Sequence, residues 1–253
     1  MPRLARRAPH GALVDLGRLS LGGLPDRRVR AYVPARYDAA RAHHALVLFD
    51  GQNVFGDAGS FAGGWHADDA IDAMPKKLSP PIVVAIDHGG PARLDELVPM
   101  RVDGRGGGLD PLLDGVASAL VPALRSRWHL HPGAVGLCLG GASLGGLAAL
   151  YGHVRTPEVF GGALAMSPSL WIARARIFEF VEARWRPTFA RVYLDCGARE
   201  GARMLALAEA MSGLLRARGY DDASLMWRRD AKGAHSEAHW RRRLPKALRF
   251  LYA

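Results

Sequence analysis

The sequence predicts an α/β fold, a mostly parallel central sheet with helices on both faces. Two observations point to it. Short, almost wholly apolar runs recur at residues 45–49, 82–86, 134–139 and 162–166, as expected of strands buried on both faces. They alternate with stretches of helical character, and that alternation is how a chain winds helices over a parallel sheet. No internal repeat, low-complexity linker or composition shift divides the chain, so one domain over 1–253 is expected. A chain of 253 residues is long enough to bury a full core.

The elements follow in order. Residues 11–21 and 28–33 read as two opening strands, joined as a hairpin around Gly22-Gly23-Leu24-Pro25-Asp26. The buried run 45–49 leads into a glycine-rich loop and a short helix over 65–74. After the strand 82–86 comes a long segment, 87–110, with glycines at 89, 90, 104, 106, 107 and 108. A loop of that length inside a compact domain more often shapes a site than merely connects. A helix over 111–127 then precedes the strand 134–139. Further strands are expected at 162–166, at 191–194 and from 225, with helices at 203–218 and 240–251.

Composition narrows the function. A hydrophobic fraction of 49% with 23% charged residues fits a soluble globular protein, and no stretch approaches the roughly 20 apolar residues that span a bilayer. The basic start, Met1 to Arg7, is not followed by an apolar signal core, and a cytoplasmic location is expected. The two cysteines, Cys138 and Cys196, lie in apolar strand-like runs and read as buried free thiols. The net charge of +10 comes almost wholly from scattered arginines with no recognisable nucleic-acid module, so neither nucleic acid nor membrane is an expected partner.

The chemistry concentrates at Gly141-Ala142-Ser143-Leu144-Gly145. A strand precedes this Gly-x-Ser-x-Gly and a small-residue helix follows it, the context of a nucleophile elbow. Small flanking residues let the strand and helix backbones pass closely, and Ser143 then stands at a helix N-terminus. A serine hydroxyl needs a base, and three histidines follow it: His153, His235 and His239. His235, in Lys232-Gly233-Ala234-His235 after the last strand, is the expected base. His153 is placed on the helix leaving the elbow, and His239 on the final helix. Asp195-Cys196-Gly197-Ala198-Arg199-Glu200 offers two acids. Asp195 is still within the strand, whereas Glu200 lies beyond the glycine, free to turn toward an imidazole. The chain order Ser143, Glu200, His235 is that of nucleophile, acid and base in α/β-hydrolases. Two backbone amides are expected to hold the oxyanion, Leu144 after the nucleophile and Gln52 in Asp50-Gly51-Gln52-Asn53, where Gly51 would turn the next amide inward. Trp65 and Trp171 are candidates to line the substrate pocket. His235 and His239 have a zinc-compatible i, i+4 spacing but no third ligand, so no metal and no cofactor are expected.

Together these residues resemble the esterase D-like branch of the α/β-hydrolases, which holds enterobactin, feruloyl and acetylxylan esterases, S-formylglutathione hydrolases and mycolyltransferases. The resemblance runs from about residue 28 to 251. It rests on Asp50-Gly51-Gln52-Asn53 with Trp65, on Arg93, Glu96 and Pro99 as Arg-x-x-Glu-x-x-Pro, on the elbow, on Ser167-Pro168-Ser169-Leu170-Trp171, and on the segments carrying Glu200 and His235 with Trp240. Many members carry aspartate where this chain has Glu200. The resemblance implies a cofactor-free serine esterase with Arg93 near the substrate, and the Asp-Gly-Gln-Asn loop brings the enterobactin-esterase-like subgroup nearest. The expected substrate is a small-molecule ester, siderophore-like or aryl esters among the classes. Transfer of the acyl group to another alcohol, or a non-catalytic binding role on the same fold, are the alternatives. Oligomeric state is not legible.

Overall fold

In the computed structural model, residues 10–60, 62–173 and 175–253 are described; the basic segment 1–7 lies outside them. Eight strands form one sheet in the order β1-β2-β4-β3-β5-β6-β7-β8. The opening hairpin is as expected: β1 (Ala12–Leu19) pairs antiparallel with β2 (Arg27–Val33), which pairs antiparallel with β4 (Ile82–Ile86). From β4 onward the sheet is parallel through β3 (Ala45–Phe49), β5 (Leu137–Ala142), β6 (Gly162–Met166), β7 (Arg191–Gly197) and β8 (Leu225–Asp230).

The two faces of β3 show why its whole run is apolar. Val47 and Phe49 enter one core, and Leu46 and Leu48 enter the other. The first core takes α3 (Leu109–Gly115), α4 (Val121–Arg127) and α5 (Leu144–Arg155). The second takes α1 (Ala67–Asp72) and α8 (Glu237–Leu251). On α8, Trp240, Leu244, Ala247, Leu248 and Leu251 are buried, the 3.6-residue stripe of a helix laid on a sheet.

Several boundaries differ from expectation. The helix over 111–127 starts at Leu109 and widens over Val116–Leu120 between α3 and α4. The long loop holds a short helix, α2 (Arg93–Leu97). A helix that the sequence reading passed over, α6 (Ala175–Glu182), is anchored by Ile177 and Val181, four residues apart on one face, amid charged neighbours that dilute the apolar signal. It precedes α7 (Ala202–Ala217).

The strand order places the site. The chain steps from β3 to β4 on one side and returns to β5 on the other, so the loops leaving β3 and β5 part in opposite directions. A crevice opens at the carboxyl ends of these two strands, where ligands sit in such sheets.

Candidate active site

β5 delivers Ser143 to that crevice. Its backbone, at φ 57° and ψ −119°, is in a region that non-glycine residues adopt at a cost of about 1–3 kcal/mol. The surroundings hold it there: the Ser143 N–H donates to the Met166 carbonyl at 3.0 Å, and its own carbonyl accepts from Ser169 at 2.9 Å and Leu147 at 3.1 Å. The turn closes only because side chains are absent. A Cβ on Gly141 would lie 2.5 Å from the Gly145 carbonyl carbon. Leu144 opens α5, so its N–H is one of the first-turn amides without an intrahelical acceptor.

Glu200 and His235 meet from adjacent strands. The Glu200 Oε2 lies 2.8 Å from the His235 Nδ1. The other oxygen, Oε1, accepts from the Gly197 N–H at 2.8 Å, the Ser167 hydroxyl at 2.7 Å and Arg243 at 3.3 Å. Burial alone would raise the Glu200 carboxyl. The bonds from His235, Ser167 and Gly197 and the charge of Arg243 outweigh it and hold the group below its ordinary range. His235 stands edge-on to Trp240 with ring centroids 4.8 Å apart, and the Trp240 indole N–H donates to the Ser167 hydroxyl at 2.9 Å. With Nδ1 committed to a carboxylate, Nε2 is the nitrogen available to take a proton.

Asp195, the other candidate acid, is wholly buried beneath this pair. It accepts from the Ser167 N–H and the Tyr193 hydroxyl, each at 3.1 Å, and lies 3.4 Å from Arg243. Burial pushes its carboxyl up to about 6, against the pull of Arg243. Because the folded state then holds the proton more tightly than the unfolded chain, this contribution to stability is fully present below about pH 4 and is lost as pH rises toward 6. Asp195→Asn, which cannot ionise, should therefore gain stability relative to the wild type across that window, by about 3 kcal/mol at most; urea midpoints at pH 4 and 6.5 measure it.

A cleft of about 380 Å³ is lined by Asn53, Trp65, Arg93, Ser143, His235 and Glu237, among others. Trp65 packs 6.1 Å from Trp240. Arg93 makes a two-toothed pair with Asp50, at 2.6 and 2.7 Å. The Gln52 side chain clips onto the His88 backbone, accepting at 3.1 Å and donating at 3.2 Å, and so fixes the loop after β3. At the turn itself Asp50 takes the left-handed conformation, at φ 58°. Gly51 is needed for close approach, since a Cβ there would meet the Ile86 carbonyl carbon at 2.7 Å.

Trp171 is not part of this cleft. It is 41% exposed and lines a neighbouring cavity of about 400 Å³ with Leu94, Val98, Ile172 and Arg203. α2 borders both spaces, Arg93 in the first and Leu94 in the second. The other histidines have separate partners. His153 is buried on α5 between the Phe160 carbonyl and the Tyr220 hydroxyl, and burial pushes it down to about 4. His239, on α8, has its Nδ1 3.2 Å from Arg242. Sequence reasoning gave no role to Ser167, Ser169, Asp50, Glu237 or Arg243. For Arg243 a signal existed: it falls three residues after Trp240 on the buried stripe of α8, while its neighbours Arg241 and Arg242 are exposed.

The geometry brings a strained serine at a helix start and a carboxylate-bound imidazole into one cleft, an arrangement suited to acyl chemistry. Comparisons with known proteins give the family and the fold. The chain is 28% identical over 235 residues to an iron(III) salmochelin esterase of Escherichia coli O6:H1, covering 85% of this chain and 52% of that protein. It thus spans about half the length of that relative. The fold matches the BES protein of Bacillus cereus with a TM-score of 0.76 at 18% identity, over 100% of this chain and 98% of the other. It also matches an enterobactin esterase of Shigella flexneri, solved in the presence of enterobactin, with a TM-score of 0.72 at 21% identity, over 99% and 59% of the two chains. The sequence profile of the family described as "Putative esterase" matches residues 25–251, and the chain belongs to that family of α/β-hydrolases.

Proposed function

We propose that the chain is a serine carboxylic-ester hydrolase acting on a small-molecule ester through an acyl-enzyme. The observation that carries this reading is the Glu200–His235 bond of 2.8 Å, opening into the same cleft as Ser143. Ser143 attacks the ester carbonyl carbon while His235 Nε2 takes its proton. The Leu144 and Gln52 amides receive the oxyanion, each worth about 3 kcal/mol in the transition state. The C–O bond to the alcohol breaks and the alcohol leaves with the proton from His235. Water then attacks the acyl-enzyme by the same route. Trp65 and Arg93 border the substrate, and no metal or cofactor takes part.

Among the described residues no hydrogen bond joins Ser143 to His235, and the Ser143 hydroxyl rests on Ser169 at 3.0 Å. Such contacts often tighten only once substrate binds. His235 keeps about a third of its side chain exposed, which gives water access for the second half-reaction and favours hydrolysis over transfer to another alcohol.

The test is covalent labelling with a fluorophosphonate, located by peptide mass, together with p-nitrophenol release from acetate, butyrate and octanoate esters. The label is expected on the peptide bearing Ser143, and turnover is expected to fall off along the acyl series where the cleft is outgrown. Enterobactin belongs in the same panel, given the salmochelin and enterobactin esterases that the chain resembles, and a ferulate ester tests the aryl-ester class. A folded protein that neither labels nor turns over any of these esters would remove the hydrolase reading.

A further inference from the structure

Among the described residues the Ser143 hydroxyl has one protein partner, the hydroxyl of Ser169. Ser169 is 3% exposed, and its own hydroxyl has no other partner among those residues. Buried serines commonly spend their hydroxyl on a nearby backbone carbonyl. This one is aimed at the oxygen that would carry out the chemistry. Its backbone is fastened on both sides, its N–H to the Ser143 carbonyl at 2.9 Å and its carbonyl to the Ile172 N–H at 3.1 Å, so the hydroxyl has a fixed origin. Two residues earlier, Ser167, at φ 42°, donates to Glu200. One three-residue segment, Ser167-Pro168-Ser169, therefore touches the carboxylate at one end and the serine oxygen at the other.

Two arrangements of the shared hydrogen bond are available. If Ser143 donates, its proton points away from the imidazole. If Ser169 donates, the Ser143 proton is free to turn toward His235, and the Ser169 O–H already points at Ser143 Oγ. Only the second arrangement leads to reaction.

We infer that Ser169 is a catalytic hydrogen-bond donor to Ser143 Oγ, one that stabilises charge on that oxygen both when it attacks and when it leaves. The inference rests on the hydrolase reading above. In acylation the Ser143 proton passes to His235 Nε2 as the bond from Oγ to the ester carbonyl carbon forms. Charge grows on Oγ during that transfer, and Ser169 keeps its own proton while donating its hydrogen bond. In deacylation water gives a proton to His235, and the carbon–Oγ bond breaks. Oγ bears charge again until His235 returns the proton. The carbonyl oxygen is served separately by backbone amides, so the two sets of donors act on different atoms. A neutral hydroxyl donor of this kind is worth about tenfold in each step.

The experiment is stopped-flow hydrolysis of p-nitrophenyl acetate by the wild type, Ser169→Ala and Ser169→Thr, with melting midpoints and fluorophosphonate labelling alongside. The burst reports acylation and the steady state deacylation. For Ser169→Ala both rates are expected to fall about tenfold, KM to stay unchanged because the two steps fall together, and the melting midpoint to move by no more than about 2 °C. Ser169→Thr, which keeps the hydroxyl, is expected to recover at least a third of each rate; should it not fold, the Ala rates and KM decide. The inference is overturned if Ser169→Ala is as fast as the wild type or faster, if its loss comes with a raised KM or a lowered melting midpoint, or if a folded Ser169→Thr is as slow as Ser169→Ala. A wild type with neither turnover nor labelling would instead remove the hydrolase reading itself.

Discussion

Ser143→Ala is expected to lower kcat for p-nitrophenyl butyrate by about 10⁵- to 10⁶-fold, with little change in KM. The variant keeps the cleft, the oxyanion amides and the base, and loses only the atom that would form the covalent bond. On the proposed mechanism Ser143 and His235 act as one unit, so Ser143→Ala with His235→Ala should be no slower than either alone. Stability gives an independent check on the elbow. Alanine keeps the Cβ and thus the strain at φ 57°, so Ser143→Ala should shift folding stability by no more than about 1 kcal/mol, for the lost bond to Ser169. Ser143→Gly removes the Cβ and should be the more stable of the two by about 1 kcal/mol in urea denaturation.

Glu200→Gln is expected to cost about 10⁴-fold in kcat, although the side chain keeps its size and place. The reason lies in the partners of Oε1. The Gly197 N–H, the Ser167 hydroxyl and Arg243 all donate to it. A glutamine must put its oxygen there, since an NH₂ group would face three donors. Its NH₂ then points at His235 Nδ1, which must become an acceptor and pass its hydrogen to Nε2. The imidazole is left in the tautomer that cannot take the serine proton. Kinetics on the same ester, compared with Glu200→Asp, measure the effect. The shorter Asp keeps the charge and should retain more activity than Gln.

Much of this arrangement was legible from the sequence, for a local reason. Ser143, Glu200 and His235 each follow a strand and sit beside glycines that permit sharp turns, so each leaves a signal within a few residues. The buried strands and the last two helices were legible to within three residues at their ends, because their apolar patterns are unbroken: the strand expected at 134–139 forms at Leu137–Ala142 and the last helix starts at Glu237. Arg243 is one of three consecutive arginines and composition ignores helical phase, so its burial is not legible from charge alone. Ser167 and Ser169 sat within a recognised segment, yet which atoms they touch depends on β6 lying beside both β5 and β7. That pairing joins residues far apart in the chain. Trp171 is a pocket candidate in the sequence, but α2, hidden within the glycine-rich segment 87–110, borders a second cavity that Trp171 lines.

The placement of Arg243 has a consequence for the order in which this molecule is made. Its guanidinium lies beside both buried carboxylates, 3.4 Å from Asp195 and 3.3 Å from Glu200. Ser143 leaves the ribosome about a hundred residues earlier, some 5–20 s sooner at ordinary elongation rates. Throughout that interval the carboxylates lack Arg243, Trp240 is missing, and for most of it so is the His235 imidazole. Burying two carboxylates with hydrogen bonds but no neighbouring cation is costly, so the docking of α8 stabilises this end of the sheet. On the hydrolase reading above, Ser143 would gain its supported acid and base only once α8 has docked against the sheet.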